Sequence, residues 1–114
     1  MKLITKEIET AINETPYGST DSVPAEEKKV IARFFNPTGA GTWYVLEDSM
    51  YDDGKIVFGA ASLGYGLELG DFSISELEQF RGLLGLGMER DLAVEPKKKT
   101  LGELMKIYGE TMMY

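Results

Sequence analysis

Between residues 30 and 72 the chain repeats one pattern, a short apolar run followed by a few residues that break regular structure. Residues 30–35, 42–46, 55–61 and 67–72 are rich in β-branched and aromatic side chains, the composition of strands. The breaks are Asn36-Pro37-Thr38-Gly39-Ala40-Gly41, a stretch ending in Asp52-Asp53-Gly54, and Gly64-Tyr65-Gly66. Proline presets one backbone angle in such turns and glycine accepts positive φ, and Asp-Gly is a strong hairpin signal. A crossover between parallel strands needs about a dozen residues or more. These connections are too short for that, so the strands form an antiparallel meander. The third run is apolar on both of its faces, as in a central strand covered on each side.

Helical patterns flank the meander. In residues 1–14, Ile4, Ile8, Ala11 and Ile12 fall on one face, with Lys6, Glu7 and Glu9 pointing away. Ser73 followed by Glu76 starts a second helix with a capping pattern, and Leu77, Phe80 and Leu84 form its inward stripe. Residues 88–94 read as a short fifth strand. Thr100 with Glu103 caps a third helix, whose apolar stripe is Leu101, Leu104, Met105, Tyr108 and Met112. The expected fold class is α+β: a mostly antiparallel sheet of three to five strands with helices packed on one face. The 114 residues fit one domain, divided into an α+β core over 1–96 and a C-terminal helix over 97–114.

Two absences narrow the chemistry. The chain has no cysteine and no histidine, so thiolate chemistry, disulfides, a Ser-His-Asp triad and a His-ligated zinc site are excluded. Without cysteines, and with an N-terminus that alternates charged and apolar residues, the expected location is the cytoplasm. No apolar run approaches the roughly 20 residues of a membrane-spanning helix.

Weighed singly, the remaining motifs point to structure. Gly39-Ala40-Gly41, Gly64-Tyr65-Gly66 and the glycines 82, 85 and 87 do not open a helix after a strand, as a phosphate loop requires, and read as turns and caps. Asp48, Asp52 and Asp53 lack the alternating ligands and terminal glutamate of a calcium loop, so no metal and no cofactor are expected. Glu47 or Asp48 could act with Glu68 or Asp71 as acid and base only if the second and fourth strands approach. No catalytic residue is assigned. Lys97-Lys98-Lys99 reads as a solvated connector, and an acidic body repels phosphate, so direct nucleic-acid binding is not expected. Of Trp43 and Tyr44, adjacent on a strand, one is expected in the core and the other half-exposed.

The net charge is −7, and all of it lies in the middle third. Residues 47–78 hold eight acids (Glu47, Asp48, Asp52, Asp53, Glu68, Asp71, Glu76 and Glu78) against Lys55, while the flanks balance. Such confinement reads either as a surface that docks on a basic partner or as solubility alone.

Several stretches resemble a known family. Lys29-Val30-Ile31-Ala32-Arg33-Phe34-Phe35-Asn36-Pro37 and Thr42-Trp43-Tyr44-Val45-Leu46-Glu47 are similar to its opening strands. Residues 64–73 with Ser75-Glu76-Leu77, and Leu84-Gly85-Leu86 followed by Met88-Glu89-Arg90-Asp91-Leu92, resemble its later segments. The family is a bacterial domain of unknown function associated with plasmids, phages and conjugative elements, and the likeness covers about residues 1–96. It implies a biological setting and no activity. With the acidic segment, it implies a small accessory protein, a non-enzymatic protein-binding module that inhibits a host defence nuclease, of the CRISPR or restriction kind. Glu47, Asp48, Asp52, Asp53, Glu68 and Asp71 are the expected contact residues for a partner with a basic surface. Tyr108, Met112, Met113 and Tyr114 are candidates for a homo-oligomer or a second docking surface. The alternative is a small-ligand-binding protein or carboxylate- or metal-dependent enzyme, which would show a deep pocket lined by at least two of these acids.

Overall fold

A computed structural model describes residues 2–51 and 56–113. Five strands form one antiparallel sheet, β1 (Ala32–Phe35), β2 (Thr42–Asp48), β3 (Ile56–Ser62), β4 (Glu68–Ser73) and β5 (Glu89–Arg90), in the order β4-β3-β2-β1-β5. The meander of the first four strands follows from their short connections. β5 returns to pair with β1 at the opposite edge over Phe34–Arg90 and Phe35–Glu89, and is shorter than the seven-residue run that its sequence suggested.

Three helices complete the fold: α1 (Lys6–Asn13), α2 (Ile74–Gln79) and α3 (Leu101–Tyr108). Thr5, Ser73 and Thr100 each cap a helix by accepting a hydrogen bond from a backbone N–H three residues on. At α3 the box is complete, since Glu103 Oε1 also accepts from the Thr100 N–H. Gly109 ends α3 in the left-handed conformation, φ +67°.

The alternation of β2 divides the core. Trp43 and Val45 join Ile8, Ala11, Ile12, Ile74 and Leu77 on one face of the sheet, beneath α1 and α2. Tyr44 and Leu46 join Leu101, Leu104 and Met105 on the other, beneath α3. The helices therefore cover both faces, not one. A sheet as apolar on both sides as β2 and β3 needs a cover on each. Trp43 and Tyr44 are accordingly both buried, against the expectation that one would be half-exposed. The stripe expected for the second helix also fails beyond Leu77. Phe80 leaves helical geometry at ψ 137°, and Leu84 is exposed at a left-handed φ of 61°.

The pairing of β2 with β3 is interrupted once. Its register shifts between Val45 and Glu47: Val45 opposes Gly59 and Glu47 opposes the next residue, Phe58. Leu46 is the extra residue of a β-bulge. A Cβ on Gly59 would lie 1.8 Å from the Tyr44 carbonyl oxygen, so only glycine lets the bulged strand come this close.

Candidate functional site

The described middle acids do not form one surface. The bulge turns Glu47 to the α3 face, opposite Phe58, where it is 1% exposed. Its carboxylate accepts the Gly18 N–H at 2.8 Å, the Thr20 N–H at 3.1 Å and the Thr20 hydroxyl, with Lys28 Nζ at 3.8 Å. Lys28 Nζ in turn donates to the Thr20 hydroxyl and carbonyl. Glu47 thus pins the loop after α1 to the sheet and is not available to a partner. Asp48 is half-buried, opposite Val57, and accepts the Ser49 N–H at 2.8 Å. Asp52 and Asp53 lie outside the described residues.

Glu68 and Asp71 are exposed on β4, the outermost strand. Glu68 opposes Ala61 on the α1–α2 side of the sheet, and Asp71 opposes Phe58 on the α3 side. An odd spacing along a strand puts two residues on opposite faces, so the pair flanks the edge instead of sharing a face. Nor can β2 acids work with β4 acids as neighbours, because β3 runs between them at about 4.8 Å per strand step.

The outer edge of β4 is only partly used. At its start Leu67 donates its N–H to the Thr111 carbonyl at 2.8 Å and accepts the Met113 N–H at 2.9 Å, a single parallel bridge to the C-terminal segment. Backbone groups of alternate residues point the same way. The N–H and C=O of Leu69 and Asp71 therefore face outward too, and no described strand pairs with them. Leu63, Tyr65, Leu69 and Met113 are exposed along this edge. With Trp43, Glu68, Asp71 and Phe72 they line a groove of about 430 Å³.

A second cavity, of about 610 Å³, adjoins the groove through Tyr65 and Gly66. It lies at the turn end of the sheet, between the β1–β2 turn, the β3–β4 turn and residues 109–111 after α3. Gly41 shapes its wall: φ is +132°, and a Cβ there would stand 2.6 Å from the Trp43 ring. Beneath it lies a polar chain. Arg33 Nη1 donates to Asp91 at 3.1 Å and Arg33 Nε to the Tyr44 hydroxyl at 3.2 Å, while Tyr44 donates to Glu110 and Tyr108 donates to Asp91. The Tyr108 ring lies under the guanidinium, 3.7 Å from its central carbon. Burial, then the hydrogen bond to Glu110, push the Tyr44 phenol well above its ordinary value, with Arg33 opposing. Tyr44 is therefore held protonated as a donor. The Tyr108 phenol is raised as well, first by its bond to Asp91.

Sequence reasoning named Tyr108 for docking, read Tyr44 only as a core or half-exposed strand residue, and passed over Arg33, Asp91 and Glu110. The signal was present: an arginine inside an apolar strand must find a partner on folding. Of the other C-terminal candidates, Met112 packs against the α3-side core, Met113 is exposed in the groove, and Tyr114 lies outside the described residues.

A family model described as a protein of unknown function, DUF2958, matches residues 3–109. The chain belongs to the DUF2958 family. The DUF2958 match runs through α3, whereas the likeness read from the sequence reached about residue 96. It takes in the bulge, the polar chain as far as Tyr108 and the whole of β4. No curated protein and no solved structure matches the chain. Among the described residues no helix is long and apolar enough to cross a membrane, and no three carboxylates converge as a metal site would need.

Proposed function

We propose that this DUF2958 protein is a non-enzymatic protein-binding module that takes an extended basic segment of a partner along the outer edge of β4. The open edge itself carries the reading. Leu69 and Asp71 present backbone donors and acceptors to an incoming strand. Leu63, Tyr65 and Met113 offer apolar area beside it. Glu68 above and Asp71 below select lysine or arginine at alternating positions of that strand. The same acids disfavour pairing of β4 with a second copy of itself, which would bring like charges together.

The setting implied by the sequence resemblance is that of plasmids, phages and conjugative elements, acting in the cytoplasm. In that setting the partner class to try first is a basic nucleic-acid enzyme, such as a host defence nuclease of the CRISPR or restriction kind. The competing reading, a carboxylate enzyme, is less well supported, because Glu68 and Asp71 line one groove but project to opposite faces of their strand.

Partners captured from a bacterial lysate by the wild-type chain should be lost at high salt. They should also be lost when Glu68→Lys and Asp71→Lys are combined, while the variant keeps its circular dichroism. Equal capture by the double variant would remove the β4 edge from consideration.

A further inference from the structure

The cavity at the turn end of the sheet carries a charge that has no ion-pair partner among the described residues. Three charged side chains belong to the polar chain below it, and two of them, Arg33 and Asp91, cancel at 3.1 Å. The third, Glu110, is half-buried. It accepts the Tyr44 hydroxyl through one oxygen, but belongs to none of the ion pairs among the described residues, which are Lys28–Glu47, Arg33–Asp91 and Lys97–Glu14. The other Glu110 oxygen accepts no hydrogen bond from a described residue, and Glu110 stands in the cavity wall, where a ligand's N–H donors can meet it.

The setting favours a particular kind of cation. The volume, about 610 Å³, lies within the range of small-molecule sites. Arg33 also stands in the wall, its charge met by Asp91 at 3.1 Å and its guanidinium already 5.4 Å from the Phe35 ring, which leaves the exposed Tyr65 ring to favour a further ammonium or guanidinium group. Among the described residues no set of three carboxylates gathers there to hold a bare metal ion.

We infer that this cavity binds an organic cation, a guanidinium or primary ammonium group on a short apolar stem, with Glu110 as its counter-charge. Tyr44 fixes the Glu110 carboxylate in place, so the site is preorganised. Its neighbouring oxygen takes the ligand's N–H donors. Two sources share this chemistry, a free amine or guanidine and a lysine or arginine side chain of a bound protein. The cavity adjoins the β4 groove, yet the inference does not rest on the docking reading, which depends on Glu68 and Asp71.

Calorimetric titration with agmatine, and separately with acetyl-Gly-Arg-Gly-amide, tests it. Agmatine should bind the wild-type chain and lose at least about tenfold in affinity with Glu110→Gln, which keeps an acceptor for Tyr44. Tyr65→Ala, at a side chain 84% exposed and so safe for folding, should weaken binding by several-fold. Tighter binding of the peptide than of agmatine would identify a protein side chain as the source, and the reverse a free amine. No heat from either probe at millimolar concentration would overturn the inference. So would equal affinity in Glu110→Gln, or binding of inorganic phosphate or glutarate in place of the cations.

Discussion

Glu47 shows at the residue scale how a surface reading can invert. It begins the acidic stretch of the sequence, yet its carboxylate is spent on two backbone N–H groups, a hydroxyl and a nearby lysine. Replacing one partner of a buried pair leaves the other uncompensated. Glu47→Ala should therefore cost about 3–5 kcal/mol in urea unfolding, whereas an exposed acid such as Glu76 should cost under about 0.5 kcal/mol. Tyr44 gives a second test. Its phenol is raised in the fold, so the stability it contributes is complete below the ordinary tyrosine value, where neither state is ionised. That stability is lost as pH rises beyond the ordinary value, because the unfolded chain ionises first. Tyrosinate absorbance should show one tyrosine that titrates only together with alkaline unfolding. A set of tyrosines that all titrate before unfolding would contradict the network.

The elements divide into those set locally and those set by the fold. Thr100 and Glu103 announce α3 in the sequence and cap it in the structure, and Thr100→Ala should cost about 1 kcal/mol in thermal or urea unfolding. Hydrogen bonding to Thr100 holds the Glu103 carboxyl below its usual range, so this end of α3 is supported above that range and weakens as pH falls through the folded value. The bulge in β2 is different. It depends on the absence of a side chain at Gly59, and Gly59→Ala should destabilise by at least about 3 kcal/mol, since the clash is with backbone. The same contrast separates what is legible in the sequence from what is not. Caps, turn glycines and the alternation of β2 are properties of a few consecutive residues. The burial of Glu47 turns on a one-residue register slip, and the meeting of Arg33, Tyr44, Asp91, Tyr108 and Glu110 on tertiary approach across as many as 75 positions, from Arg33 to Tyr108. The exposed Leu84 follows the helical period faithfully. It fails because α2 stops at Gln79, ahead of the glycine-rich segment.

At the scale of the molecule, the two faces of the sheet are closed by helices and the two edges are treated unequally. β5 ends one edge as a two-residue strand, whereas no described strand pairs with Leu69 and Asp71 of β4 beyond the bridge at Leu67. Natural sheets guard such edges with charge, and Glu68 with Asp71 guards this one against its own copies while favouring basic strands. Both acids are solvated, so reversing them should alter stability by less than about 1 kcal/mol. The most direct test of the edge as a docking site is amide hydrogen exchange, residue by residue, with and without a captured partner. Slowed exchange centred on the Leu69 and Asp71 amides is the predicted result. Unchanged exchange along β4, with protection appearing elsewhere on the chain, would contradict it.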